Sequence, residues 1–318
     1  MSRVLTLLVI VMLGVGLAHA QPSDEKLIVP GERIGPLRLA GKLSELVAAY
    51  GTQDGRGSGS WQGTIELTWS RIGLSVIADE RSGNILQIAI RAVETHPWGG
   101  LATSQGIGLE TPEPQVAQAF GQPTKVQEGL TFFVTFGNSG RTATIPATPR
   151  SLLYLDRGIL FELQPPGIVK AMAVQRPYRA PGDMLVVPRE RISGVRLGMS
   201  RDEVFSLLGR GFVEIRADEV YYWPHTGLYV FLRDTRVVQA QATTSEWAQL
   251  AGIRYATAQG LGFGSTPEQV RRLLGEPQNK STQGKYEGWT YQSLGVVFIF
   301  FPDTEDKTVV LIGVGGKP

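Results

Sequence analysis

One pattern is written four times along this chain, and that repetition constrains its fold more than any local propensity. Residues 27–51 read LIVPGERIGPLRLAGKLSELVAAYG and residues 185–209 read LVVPRERISGVRLGMSRDEVFSLLG. The two align without a gap at Val29/Val187, Pro30/Pro188, Glu32/Glu190, Arg33/Arg191 and Ile34/Ile192. A second pair lies between and after them: residues 101–123 read LATSQGIGLETPEPQVAQAFGQP, and residues 255–277 read YATAQGLGFGSTPEQVRRLLGEP. Self-similarity of this kind marks supersecondary units that must stack on one another to bury a core.

Each copy opens on a short helix. Ser200 followed by Glu203 forms a capping box, in which hydroxyl and carboxylate satisfy orphan backbone N–H groups. Thr266 is followed by Pro267, whose missing N–H costs nothing at the first helical position. Val204, Leu207 and Leu208, like Val270, Leu273 and Leu274, fall at i, i+3, i+4 and make one apolar stripe. Gly51, Gly121, Gly209 and Gly275 are expected to end the helices in the left-handed conformation. The first copy has Lys42 where a cap residue belongs, so its helix is the weakest of the four.

A meander follows each helix. An aromatic precedes a glycine by four positions at Trp69/Gly73, Tyr154/Gly158, Trp223/Gly227 and Tyr291/Gly295. Apolar residues then alternate with a period of two, as on one face of a strand. A further strand is expected at 85–90, 168–174, 237–242 and 309–314. The unit is thus a helix and about three antiparallel strands, too small to be stable alone. Copies one and three resemble each other most, as do two and four, so the units pair into modules at 25–176 and 184–316. The Pro- and Gly-rich stretch 177–183 reads as a linker. The expected fold is α+β, with a helix pair on one face of an antiparallel sheet of six to eight strands in each module.

Composition narrows the function classes. Residues 1–20 carry Arg3, an apolar stretch and Ala18-His19-Ala20, the pattern of a signal peptide cleaved before Gln21. The expected location is outside the cytoplasm, periplasmic or secreted, with no membrane-spanning segment after signal removal. The chain has no cysteine, which removes disulfides, thiolate chemistry and a lipid anchor on cysteine. Formal charge is only +2, with no Lys/Arg run, which argues against nucleic acid as a partner.

The stretch Gly262-Phe263-Gly264-Ser265-Thr266, then Val270 and Leu274-Gly275-x-Pro277, resembles the repeats of the beta-lactamase inhibitor protein family. It is similar too to a small outer-membrane assembly lipoprotein built on the same helix-plus-meander unit. The resemblance implies a non-catalytic exported protein whose sheet is presented to another protein or to an envelope component. The chain differs in having one helix per unit and no anchoring cysteine, and no partner-contacting residue of the inhibitor matches a position here.

Catalytic and cofactor chemistry find little support in the sequence. His96 and His225 stand in different modules without carboxylates at ligand spacing, so no metal site is expected, and His225 reads as a solvated hairpin residue. Gly260-Leu261-Gly262-Phe263-Gly264 lacks the spacing of a dinucleotide fingerprint, and no cofactor is expected. Asp79-Glu80, Asp202-Glu203 and Asp218-Glu219 are the acid pairs that an exported hydrolase would need. Asp202-Glu203 belongs to a helix start, and the other two lie in turns where carboxylates are usually solvated. That hydrolase, and a passive structural role in the envelope, are the alternatives to a binding protein.

The strands after the recurring glycines point to a surface. Their second and fourth positions face away from the core: Ser75 and Ile77, Leu160 and Glu162, Tyr229 and Phe231, Val297 and Ile299. On an antiparallel sheet with one wet face these should be polar. The second module breaks the rule, so Tyr229, Phe231, Val297 and Ile299 are the candidate partner-binding residues. The competing use of the same side chains is to pack the two modules together.

Overall fold

The computed structural model describes residues 24–95, 97–129, 149–216, 219–302 and 307–315. The chain is mostly sheet, arranged as two similar modules, each with one eight-stranded and one four-stranded sheet. The first large sheet contains β1 (Gly55–Ser58), β2 (Thr64–Trp69), β3 (Leu74–Asp79), β4 (Ile85–Arg91), β5 (Lys125–Glu128), β6 (Arg150–Tyr154), β7 (Ile159–Gln164) and β8 (Ile168–Gln175). Its order is β1-β2-β3-β4-β8-β7-β6-β5. The second contains β9 (Val213–Arg216), β10 (Val220–Trp223), β11 (Leu228–Arg233), β12 (Arg236–Thr243), β13 (Asn279–Gln283), β14 (Tyr286–Tyr291), β15 (Val296–Pro302) and β16 (Lys307–Gly315). It repeats that order as β9-β10-β11-β12-β16-β15-β14-β13. Two meanders therefore meet through their last strands, pairing antiparallel about Ala173/Ala89 in one module and Gly313/Gln241 in the other.

Eight strands in each large sheet fall within the expected six to eight. Among the described residues each meander has four strands where the sequence pattern shows about three, and the extra one is always its outermost strand. Gly55–Ser58, Lys125–Glu128 and Asn279–Gln283 lack a buried apolar row, so nothing in their composition announces a strand. The segments expected to lead straight into a helix first form the small sheets. Leu27–Val29, Arg33–Ile34 and Leu37–Arg38 pair in series, and Leu27–Val29 also pairs in parallel with Ala102–Thr103; Leu185–Val187 and Ala256–Thr257 repeat that link. This pairing ties the first copy of each module to the second.

Among the described residues the α-helices are α1 (Leu43–Tyr50), α2 (Glu113–Phe120), α3 (Arg201–Leu208), the short α4 (Glu246–Leu250) and α5 (Pro267–Leu274). Ser200/Glu203 and Thr266/Gln269 form capping boxes. At α1, Lys42 turns outward to donate to the Ser82 carbonyl and Asn84 Oδ1, at 2.9 and 2.8 Å, while Glu45 accepts from its backbone N–H. The terminal glycines have φ between 71° and 78°, but ψ lies near 180° instead of in the left-handed helical region. That combination is essentially glycine-only.

It also aims each glycine carbonyl at the recurring aromatic. Trp69 Nε1 donates to Gly51 O, Tyr154 Oη to Gly121 O, Trp223 Nε1 to Gly209 O and Tyr291 Oη to Gly275 O, all at 2.9–3.0 Å. These aromatics are at most 4% exposed. The sequence spacing thus encodes a latch from sheet to helix terminus, satisfying a carbonyl that the helix leaves orphaned. The glycine four residues on immediately precedes the next strand. At Gly158, φ is +69° and a Cβ would sit 2.2 Å from the Gln175 carbonyl, so no other residue fits that turn.

The modules are packed together and the 177–183 stretch is part of the packing. It carries neither helix nor strand, yet Tyr178 is 3% exposed and donates its N–H to Leu155 O at 2.8 Å. One apolar cluster joins Leu153, Leu155 and Ala171 of the first module to Tyr178 and to Val186 and Ile192 of the second. A second joins Leu86 to Val213 and Tyr222, with Trp61, Ile215 and Tyr229 against it. Arg176 lies over Gly209 and Gly211, where its charge meets the negative end of α3.

Candidate functional site

The outward positions behave differently in the two modules. Ser75, Ile77, Leu160 and Glu162 are all 5% exposed or less. They do not form the wet face that alternation predicts. Ser75 Oγ donates to Glu66 Oε1 at 2.7 Å, and Arg91 Nη2 lies 3.5 Å from Glu162 Oε1. At the equivalent places Tyr229, Phe231, Val297 and Ile299 are all half-buried. Polar residues are thus buried in one module while apolar ones keep exposed surface in the other.

The half-buried face is a groove of about 560 Å³ to which all eight strands of the second sheet contribute. Ile215 and Arg216 come from the edge strand β9, and Gln283 from the opposite edge, β13. In a flat sheet of eight strands those edges would stand roughly 34 Å apart, at about 4.8 Å per strand. One groove bounded by both requires the sheet to curl. Register shifts fall at Glu214/Arg216, Phe231/Leu232 and Ile299/Phe300, beside groove residues. Such bulges bend a strand and re-aim its side chains.

Three of the four sequence candidates, Tyr229, Phe231 and Ile299, line this groove. Val297 does not; it lies against Gly313, where a Cβ would stand 2.8 Å from Val297 Cγ1 and 3.1 Å from Gln241 Cγ. Tyr229 has a second use, stacking on Tyr222 with centroids 4.3 Å apart at the contact between modules. Burial raises the pKa of both phenols, so they stay neutral. The four sequence candidates leave out Val220, Phe301, Val310 and Leu311 in the apolar lining, and Arg216, Gln241, Thr243, Thr244 and Gln283 in the polar part. Phe301 is within reach of the sequence pattern, since it continues the alternation of Val297 and Ile299. The others need the strand order.

One member of each acid pair serves the framework. Asp79 is fully buried, contrary to its reading as a solvated turn residue. It accepts from Ser82 N within its own turn and from Glu214 N of the second module at 3.2 Å. Glu203 caps α3, accepting from Ser200 N and Oγ. Glu219 accepts from Thr235 N and pairs with Arg201 at 3.4 Å; Asp218 lies outside the described residues, as does His96. His225 is half-buried, where the sequence reading has a solvated hairpin residue. It lines a small cleft with Trp61, Leu86, Arg176 and Tyr178, and burial, then Arg176 and Arg179, push its imidazole down to about 3.

A second concavity, about 470 Å³, lies at the start of α5 between Glu268, Arg271, Glu287 and Lys307. Its charges are largely committed to neighbours: Lys307 and Trp289 Nε1 both bond Glu287, and Arg271 pairs with Glu276 at 2.8 Å. Among the described residues no three His, Cys, Asp or Glu side chains converge as a metal site, and no helix is long and apolar enough to cross a membrane. No protein-family model, curated protein or solved structure matches this chain.

Proposed function

We propose that this chain is a non-catalytic exported binding protein, α+β in class, with its helices on one face of each sheet and its ligand on the other. The observation that carries the reading is the curled second sheet, whose half-buried face holds Phe231, Ile299 and Phe301 outside all three apolar clusters of the interior. Apolar surface gathered in a concavity is the usual form of a recognition site. Removal of residues 1–20 as a signal peptide places that site in the periplasm or the medium, as in the families that the repeats resemble.

Two measurements test the two halves of this reading. N-terminal sequencing of the protein recovered from its native host should begin at Gln21; a membrane-bound chain retaining Met1 would remove the export proposal. A photo-cross-linking amino acid at Phe231 or Ile299 should give an adduct in the native envelope, while one at Leu273, an exposed helix residue, should give none. Equal labelling at all three positions would mean that the groove is ordinary surface.

A further inference from the structure

We infer that the groove binds a free single-chain amphiphile with one carboxylate, its hydrocarbon lying over Phe231, Ile299 and Phe301 and its carboxylate on Arg216. This rests on the reading of that face as the functional surface and says what chemistry occupies it. Three observations select the ligand. The first is size: about 560 Å³ lies within the range of about 300–1,000 Å³ that encloses small ligands.

The second is the backbone. Most of the floor comes from β11, β12, β16 and β15, which are interior strands with both backbone edges taken up by neighbours. An extended peptide laid across them would find no ladder to join, and its N–H and C=O groups would face aromatic and aliphatic side chains. Each unsatisfied group costs about 1–3 kcal/mol. A hydrocarbon chain has none to satisfy.

The third is charge. Among the described residues Arg216 is the one charged side chain lining the groove, and it is exposed and makes no ion pair with any of them. The remaining polar lining is neutral: Gln241, Thr243, Thr244 and Gln283. A guanidinium on the rim of an apolar trough matches a carboxylate, which it can hold through two parallel hydrogen bonds.

The test uses the mature protein with dodecanoate, dodecanol and dodecyltrimethylammonium as probes, each below its micellar concentration. Isothermal titration should show saturable one-to-one binding of dodecanoate, weaker binding of dodecanol and none of the cation. Arg216→Gln should weaken dodecanoate by about tenfold and leave dodecanol unchanged, the loss of one charge-assisted contact. Phe231→Ala should weaken both by about tenfold or more, with the melting temperatures of the variants reported alongside. Absence of saturable dodecanoate binding, or unchanged affinity in Arg216→Gln, overturns the inference. So does binding that requires anionic phospholipid vesicles instead of the free amphiphile. If the cross-linker at Phe231 captures a protein helix and dodecanoate does not compete, the groove stands as the site and only the amphiphile is lost. If it captures nothing, both readings fall together.

Discussion

Trp223→Ala should cost about 3–5 kcal/mol of unfolding free energy, the range for emptying a buried tryptophan site. Trp223 is fully buried, packs near Phe205 and Phe212 with centroids 6.1 and 5.6 Å away, and holds the Gly209 carbonyl at the end of α3. Its loss removes apolar contact and the latch at once. Tyr154→Phe and Tyr291→Phe remove only the latch hydroxyl and should each cost about 1 kcal/mol, the net worth of one hydrogen bond. Phe231→Ala, on the strand beside Trp223, should cost less than about 1 kcal/mol because it leaves the interior intact. Urea denaturation of the four variants gives the ranking directly. A Phe231→Ala loss as large as that of Trp223→Ala would mean that the groove is core, and the functional reading would fail with it.

Part of that ranking is legible in the amino-acid pattern alone. An aromatic and a glycine at fixed spacing in four copies can only be a repeated structural device, and the alternation after the glycine separates Trp223-side residues from Phe231-side residues. What the pattern hides is the bond itself, because the partner of Trp223 is a backbone carbonyl that a helix end supplies. The outermost strands escape it for a related reason. Asn279–Gln283 is exposed throughout and gains its identity only by pairing with Tyr286–Tyr291. Curl is likewise non-local, since Ile215 and Gln283 come together only through the strand order and three bulges. Asp79 looks like a solvated turn residue for the same reason: its second hydrogen bond crosses to Glu214, 135 residues away. Local periodicity reports which side of a strand is dry, not what lies against it.

Acid should destabilise the fold through His225, well above the range where carboxylates titrate. The imidazole sits between the modules, and its pKa is depressed from 6.5 to about 3, first by burial and then by Arg176 and Arg179; a backbone hydrogen bond at Leu208 opposes them. Arg176 is itself desolvated, with its Nε buried and unpartnered, so a proton on His225 would add positive charge where the existing charge is already poorly solvated. Because the folded pKa lies below the unfolded one, the unfolded chain takes the proton first as pH falls through about 6.5. Stability is complete above that value and declines down to about pH 3, where the folded state protonates too. Linkage puts the loss from this group between pH 7 and pH 5 at about 2 kcal/mol. Glu203 and Glu287, whose pKa values hydrogen bonds hold below the ordinary carboxylate range, add their own slope mainly as the unfolded chain takes protons near pH 4.3, below that interval. His225→Asn keeps a polar side chain in the cleft and should flatten the pH dependence over those two units while leaving stability at pH 7 within about 1 kcal/mol. Denaturant melts of both proteins at pH 5, 6 and 7 decide the matter. Parallel slopes would show that His225 titrates normally, and its packing between Trp61 and Arg176 would then not govern how the two modules hold together.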